Sequence, residues 1–242
     1  MCRLFSIALL LSLSATVALA QTTQTSSIPV TDKLGPITFI GYSYMQADGL
    51  PPTVQSTAFN NNGTFGDRKG LQGMVSENTY YLTKHFGITA DFSFNQRTRT
   101  FTTPTAGGTG VLQNSLGTRV INILGGPQVR FPTHTRATPF VRALFGVANT
   151  RFLAAAQETI PGGFFTNTFD TSSTDFAMAL GGGLDVSLNG RIGFRVFQID
   201  YNPVFMRDRT INVIGQNGVV QTQTLESNRQ DNIRIGFGIL IR

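Results

Sequence analysis

The chain lacks tryptophan altogether and carries little charge. Only 13% of its 242 residues are Asp, Glu, Lys or Arg, against roughly 25% in soluble domains. Its single cysteine is Cys2, inside an N-terminal stretch that reads as a secretory signal: Arg3, the apolar run Leu4 to Leu13, then Ala18-Leu19-Ala20 as a small-x-small cleavage site. Cleavage there removes Cys2, so the mature chain is expected to begin at Gln21 without a disulfide. It also has no cysteine at the new N-terminus, which excludes a bacterial lipoprotein. After residue 20 no apolar run reaches the ~20 residues a membrane-spanning helix needs. A membrane form of this chain therefore has to be a closed barrel, the other structure that satisfies its own backbone in lipid.

What is present is alternation. From Asp175 to Val186 the sequence DFAMALGGGLDV puts Phe176, Met178, Leu180, Leu184 and Val186 on one face of a strand. Asp175, Ala177, Ala179, Gly181, Gly183 and Asp185 take the other. Asn189-Gly190 then signals a hairpin through two residues that accept positive φ. In the returning strand Ile192, Phe194 and Val196 oppose Gly193 and Arg195, and parity breaks at Val196-Phe197, which predicts a bulge. One face is large and apolar; the other is small and charged. That combination suits lipid on one side and the crowded interior of a small barrel on the other.

The remaining chain follows the same pattern. Gln21 to Lys33 is Thr-, Ser- and Gln-rich and reads as part of a flexible leader reaching residue 35, with the barrel domain filling 36–242. Strands are predicted at Ile37–Gln46, Gly70–Leu82, Phe86–Gln96, Leu116–Phe131, Pro139–Arg151, the two of the hairpin, and Gln230–Arg242. In the second, Glu77 shares the parity of Leu71, Gly73 and Val75, which calls for a bulge or a place at the membrane interface. Long polar connections are expected at 47–69, 97–115, 152–174 and 202–229, with short turns between. The fold class is thus all-β: an eight-stranded antiparallel up-and-down transmembrane barrel with short periplasmic turns and long extracellular loops.

Gly41-Tyr42-Ser43-Tyr44, Phe86 to Phe92, Pro139-Phe140, Phe176 to Asp185 and Gln198 to Tyr201 carry, in that order, a resemblance to the OmpA-like family of small outer-membrane β-barrels, in its "outer membrane protein β-barrel domain" form. The resemblance covers Ile37 to Arg242. It implies an eight-stranded barrel inserted from the periplasm by the outer-membrane insertion machinery, with structural, adhesive or weakly pore-forming roles. Such barrels usually end on an aromatic residue, whereas this chain ends Leu240-Ile241-Arg242. No peptidoglycan-binding domain is expected after the barrel.

The charges predicted to face inward are Asp91, Arg130, Arg142, Asp185, Arg195, Asp200 and Arg234. Counted from the periplasmic end, Asp185, Arg142 and Arg195 share a depth, so they are expected to cluster, with Asp200 and Arg234 as a separate pair. Eight strands leave only enough interior for side chains, which favours a salt-bridged plug over an ion path. His85 and His134 fall in periplasmic turns, far from the outer leaflet where a lipid-modifying barrel enzyme needs its nucleophile and base. Gly181-Gly182-Gly183 lies mid-strand with no helix after it and is no phosphate loop. Asn62-Gly63-Thr64 matches a glycosylation acceptor by form alone.

The formal charge is +6, but the basic residues form no run and no aromatic platform, which argues against nucleic acid. Arg97, Arg99, Arg119, Arg151, Arg207, Arg209 and Arg229 fall near extracellular strand ends. Of these Arg97, Arg99, Arg207 and Arg209 are assigned as contacts to lipopolysaccharide phosphates. No cofactor, metal or catalytic residue is expected, and an extracellular partner of the loops is left unidentified. Two alternatives remain: a soluble lipocalin-like carrier with Phe92, Phe145, Phe194 and Phe237 around an apolar ligand, and a lipid-A-modifying enzyme.

Overall fold

The computed structural model describes residues 34–48, 69–104, 111–133, 135–160, 163–214, 220–225 and 228–242. The signal stretch, most of the leader, most of the loop at 47–69 and His134 lie outside the described residues. Among the described residues ten strands run in chain order: β1 (Gly35–Ala47), β2 (Lys69–Tyr81), β3 (Phe86–Pro104), β4 (Val111–Arg130), β5 (Ala137–Ile160), β6 (Gly163–Ser187), β7 (Ile192–Met206), β8 (Arg209–Ile214), β9 (Val220–Leu225) and β10 (Asn228–Ile241). Eight of them close into a barrel in the order β1-β10-β7-β6-β5-β4-β3-β2, every neighbouring pair antiparallel, while β8 and β9 form a separate two-stranded ribbon. Closure leaves no sheet edge around the barrel wall.

Three short connections share one end of the barrel: Leu82 to His85, Phe131 to Arg136, and Leu188 to Arg191. The last occupies the predicted hairpin but closes differently. Neither Asn189 nor Gly190 adopts positive φ. Instead Asn189 Oδ1 accepts the N–H groups of Arg191 at 2.9 Å and Ile192 at 2.8 Å, a side-chain-closed turn that needs no left-handed residue. The bulge expected at Val196-Phe197 is there. β7 shifts register against both neighbours, between Leu184 and Asp185 on β6 and between Gly236 and Gly238 on β10. Both bulge residues are exposed.

The far end departs from the expected loops. Residues 97–104 and 111–115 continue β3 and β4, 152–160 and 163–174 continue β5 and β6, and the span 202–229 holds the end of β7, the ribbon and the start of β10. Pairing runs without a gap from Ala143↔Leu180 to Ile160↔Gly163. The cause lies in threonine. Its branched Cβ favours extended backbone whether or not the strand has an apolar face. At this end neither face is uniformly apolar, so the alternation that marks a strand disappears while the strand continues.

Alternation in the belt resolves cleanly into wall and lumen. Ile123, Phe145, Val147, Phe194, Ile199, Ile235, Phe237 and Ile239 point out from the wall and are 41–58% exposed. Gly and Ala face inward beside Asp175, Asp185, Arg195 and Arg234.

Candidate functional site

The lumen is built by register. Arg142 on β5 sits opposite Gly181 on β6, and Gly181 sits opposite Asp200 on β7. With no side chain between them, the guanidinium crosses β6 and forks onto Asp200, Nε to Oδ1 at 3.0 Å and Nη2 to Oδ2 at 2.7 Å. The same group reaches Asp91 Oδ2 at 3.4 Å and lies 2.6 Å from Glu77 Oε1, the latter a charge contact without the alignment of a hydrogen bond. Arg234, opposite Asp200 on β10, contacts it at 3.1 Å. It also spans the lumen to fork onto Asp91 at 2.9 and 2.7 Å. Arg195 forks onto Asp185 at 2.8 and 3.3 Å and donates its Nη1 to Glu77. Each arginine therefore holds one carboxylate bidentately, the strongest geometry available to the pair. Glu77 bridges two of them.

This arrangement corrects two sequence expectations. Asp185 does pair with Arg195, but Arg142 turns to Asp200, Asp91 and Glu77. Counting residues from the strand ends ignores the stagger of a barrel. In the register, Asp185 stands opposite Thr138, four positions from Arg142. Glu77 needs neither a bulge nor the interface. β2 pairs with β1 and β3 without a shift through that position, and Glu77 is 1% exposed. Its shared parity with Leu71, Gly73 and Val75 was the signal, since that parity is the inward one. Glu77 stands directly opposite Asp91. Such like-charged cross-strand pairs are unfavourable alone, and here Arg142 contacts both.

Layers close the lumen on either side of the charges. Toward the far end, Asn95 donates to Ser43 Oγ at 3.0 Å and Asn122 donates to Ser93 Oγ at 3.0 Å. Met45, Ala47, Leu71 and Val120 pack beyond them. Toward the turn end, Arg195 lies between the rings of Phe39 and Phe140, 4.3 and 4.2 Å from their centroids, a desolvated cation–π sandwich. Arg130, the remaining predicted inward charge, lies 3.8 Å over the Tyr81 ring and donates to the Lys84 carbonyl at 2.8 Å. Gln128 donates to Tyr81 Oη at 2.6 Å. Phe39, Tyr81 and Gln128 carried no sequence signal beyond their parity, and Phe140 only its place in the Pro139-Phe140 pair.

Gly181 is the least replaceable residue of the row. A Cβ there would stand 2.1 Å from the Ile199 carbonyl oxygen and 2.5 Å from Asp200 Oδ1. Gly181→Ala is expected to lower unfolding free energy by about 1–3 kcal/mol through that overlap, read by urea titration of the refolded protein. Gly117→Ala, where the nearest atom would be 3.4 Å away, serves as the tolerant control.

The remaining candidates stand at the two ends. His85 is in a turn, its Nδ1 3.2 Å from the Arg130 carbonyl. Arg97 and Arg99 share the inward parity of Asn95, and Arg97 donates to the Gly70 carbonyl at 3.0 Å. Arg207 is exposed, and Arg209 opens β8 with its side chain outside the described residues. Arg119 and Arg151 face each other on β4 and β5. Arg151 donates to Asp170 and holds its carboxyl below the usual carboxylate range. Among the described residues no group of His, Cys, Asp and Glu is placed to hold a metal ion.

No protein-family model and no curated protein matches this sequence. Solved structures do. The attachment invasion locus protein of Yersinia pestis, solved in complex with the heparin analogue sucrose octasulfate, is 13% identical with a TM-score of 0.41, over 86% of this chain and 100% of that one. Neisserial surface protein A is 10% identical with a TM-score of 0.40, over 86% and 96% of the two chains. The outer membrane protein AlkL, solved in lipid bilayers, is 10% identical with a TM-score of 0.30, over 92% and 96%. The chain is similar to these surface and outer-membrane proteins.

Proposed function

We propose that this protein is a bacterial outer-membrane barrel with a structural and surface-interaction role, its lumen plugged by the Asp/Glu/Arg network. The observation that carries the reading is the outer wall. Phe145, Val147, Phe176, Leu180, Phe194, Val196, Phe197, Ile199, Ile235, Phe237 and Ile239 are all 41–54% exposed on the adjoining strands β5, β6, β7 and β10. Soluble monomers rarely expose a contiguous apolar patch above a few hundred Å², whereas acyl chains solvate such a wall. A soluble apolar-ligand carrier would need Phe145, Phe194 and Phe237 turned inward, and they point out. For the lipid-modifying enzyme, His85 stands at the turn end. In this reading that end is periplasmic, and β3 to β6 project beyond the outer leaflet. Arg97, Arg99, Arg207 and Arg209 then lie at the lipopolysaccharide level, as its phosphate contacts.

Burial supports the plug. Asp200 is 0% and Arg234 1% exposed, and in so narrow a barrel the side chains occupy the interior. Refolded wild-type protein in a planar bilayer is expected to show no resolvable single-channel steps. Arg142→Ala and Asp185→Ala are expected to show small cation- and anion-selective openings respectively. Steady wild-type conductance overturns the plug. Recovery of the mature chain in the soluble periplasmic fraction overturns the membrane assignment.

A further inference from the structure

We propose that the far half of the lumen holds one monovalent alkali cation, bound to the Asp175 carboxylate and to the neutral oxygens beside it. The inference rests on burial inside the barrel and holds whichever solvent meets the outer wall. Among the described residues five carboxylates are buried, and four of them, Glu77, Asp91, Asp185 and Asp200, each contact an arginine. Asp175 is the fifth. It is 5% exposed, and among the described residues it forms no ion pair. Its Oδ1 accepts the Arg207 N–H at a long 3.4 Å, and its Oδ2 has no hydrogen-bond partner. Arg207 itself is exposed. Charges buried in a protein are paired or hold a metal ion. Five buried carboxylates stand against four buried arginines, at 130, 142, 195 and 234, so this interior carries one negative charge in excess.

Register places three further oxygens next to that carboxylate. Asn122 on β4 stands opposite Ala148 on β5, and Ala148 opposite Asp175 on β6. Ala148 carries only a methyl group, so little separates the amide from the carboxylate. In the next inward row Thr150 stands opposite Ser173. Asn122 Oδ1, Thr150 Oγ1 and Ser173 Oγ are all buried without a hydrogen-bond partner. Asn122 is oriented by its amide, which donates to Ser93. One row farther out, buried Thr118 and Phe152 face each other and cover the site from the far end. Buried polar atoms are normally satisfied, and a cluster of four that are not marks the place of a bound species. A water molecule would satisfy the neutral oxygens but leave the charge of Asp175 unopposed. The set is oxygen throughout, with no nitrogen or sulfur, which selects a hard cation. Calcium takes about 6–8 oxygens, and a divalent ion would overshoot the single excess charge. A monovalent ion of sodium size neutralises it.

The test is urea unfolding of the full mature chain, refolded in detergent micelles, in sodium chloride and in N-methylglucamine chloride at equal ionic strength. Equal ionic strength keeps general screening the same in both, and the organic cation is too large for the site. For wild-type protein the unfolding constant is expected to fall in proportion to added sodium, by about tenfold once free sodium is about ten times its dissociation constant. Asp175→Asn keeps the shape and removes the charge, and is expected to unfold at the same urea midpoint in both salts. Thr150→Val replaces one ligand oxygen by a methyl group, and is expected to need severalfold more sodium for the same shift. The sodium NMR line is expected to broaden with wild-type protein and to lose that broadening in Asp175→Asn. Equal wild-type midpoints in the two salts overturn the site, and so does a sodium effect left unchanged in either variant.

Discussion

Arg142→Ala is expected to lower unfolding free energy by about 3–5 kcal/mol, the largest effect of any single lumen substitution. The size comes from what is left behind. Arg142 is the shared partner of Asp200, Asp91 and Glu77. Its removal leaves the four carboxylates of the network, at 77, 91, 185 and 200, against Arg195 and Arg234. An exposed ion pair rarely contributes more than about 1 kcal/mol. Here the carboxylates are buried in the intact protein, and the cost is that of an ion left without its partner. Arg142→Lys is expected to recover little, because an ammonium cannot reproduce the fork onto both oxygens of Asp200. Glu77→Gln in the Arg142→Ala background removes one negative charge while keeping an acceptor for Arg195. The double variant is therefore expected to be more stable than Arg142→Ala alone, a non-additive cycle of about 1–3 kcal/mol. Equilibrium urea unfolding in detergent micelles measures wild type, Glu77→Gln, Arg142→Ala, Arg142→Lys and the double variant. Additive losses below about 1 kcal/mol would mean that the network is wetter and weaker than its geometry implies.

How much of this was legible in the sequence depends on which constraint acted on each segment. On the membrane reading proposed above, β7, β10 and β6 from Asp175 onward answer two demands, lipid outside and a crowded lumen inside, so the alternation is nearly perfect. The bulge at Val196-Phe197 could be read because two successive large apolar residues cannot both face a lumen filled by Arg195 and Gln198. Beyond the belt only one demand remains, extended backbone. The strand ends of β3 to β6 were then hidden behind threonine and glycine.

Pairing was less legible than placement. Parity assigns Asp91, Arg130, Arg142, Asp185, Arg195, Asp200 and Arg234 to the lumen one strand at a time. Which of them meet depends on stagger between strands, and stagger is not local in sequence. Arg142 finds Asp200 because Gly181 separates them in one row. Glu77 was hidden for a simpler reason. A carboxylate among Leu71, Gly73 and Val75 looks misplaced only if large apolar residues are assumed to face out. Near the ends of so narrow a barrel they also fill the lumen, as Met45, Leu71 and Val120 do.

The last expectation decides which side of the wall meets lipid. Ile123 lies on β4, in the row Phe92–Ile123–Val147, and is 58% exposed. That row sits beside the buried charges, since Phe92 adjoins Asp91 in the sequence. Ile123→Arg is expected to destabilise the inserted protein by about 2–4 kcal/mol, the cost of an arginine on the lipid face near the bilayer midplane. Leu188→Arg, also on the surface but at the turn end, is expected to cost about 0–1 kcal/mol, because its guanidinium reaches water. The depth dependence is the informative quantity. In a water-soluble barrel both substitutions exchange an exposed apolar side chain for a charged one, and both should lie within about 0.5 kcal/mol of wild type. Unfolding from phosphatidylcholine vesicles with both variants separates the two cases. Equal and small effects at Ile123 and Leu188 would return the wall to water and leave the soluble-carrier alternative to explain its exposed aromatics.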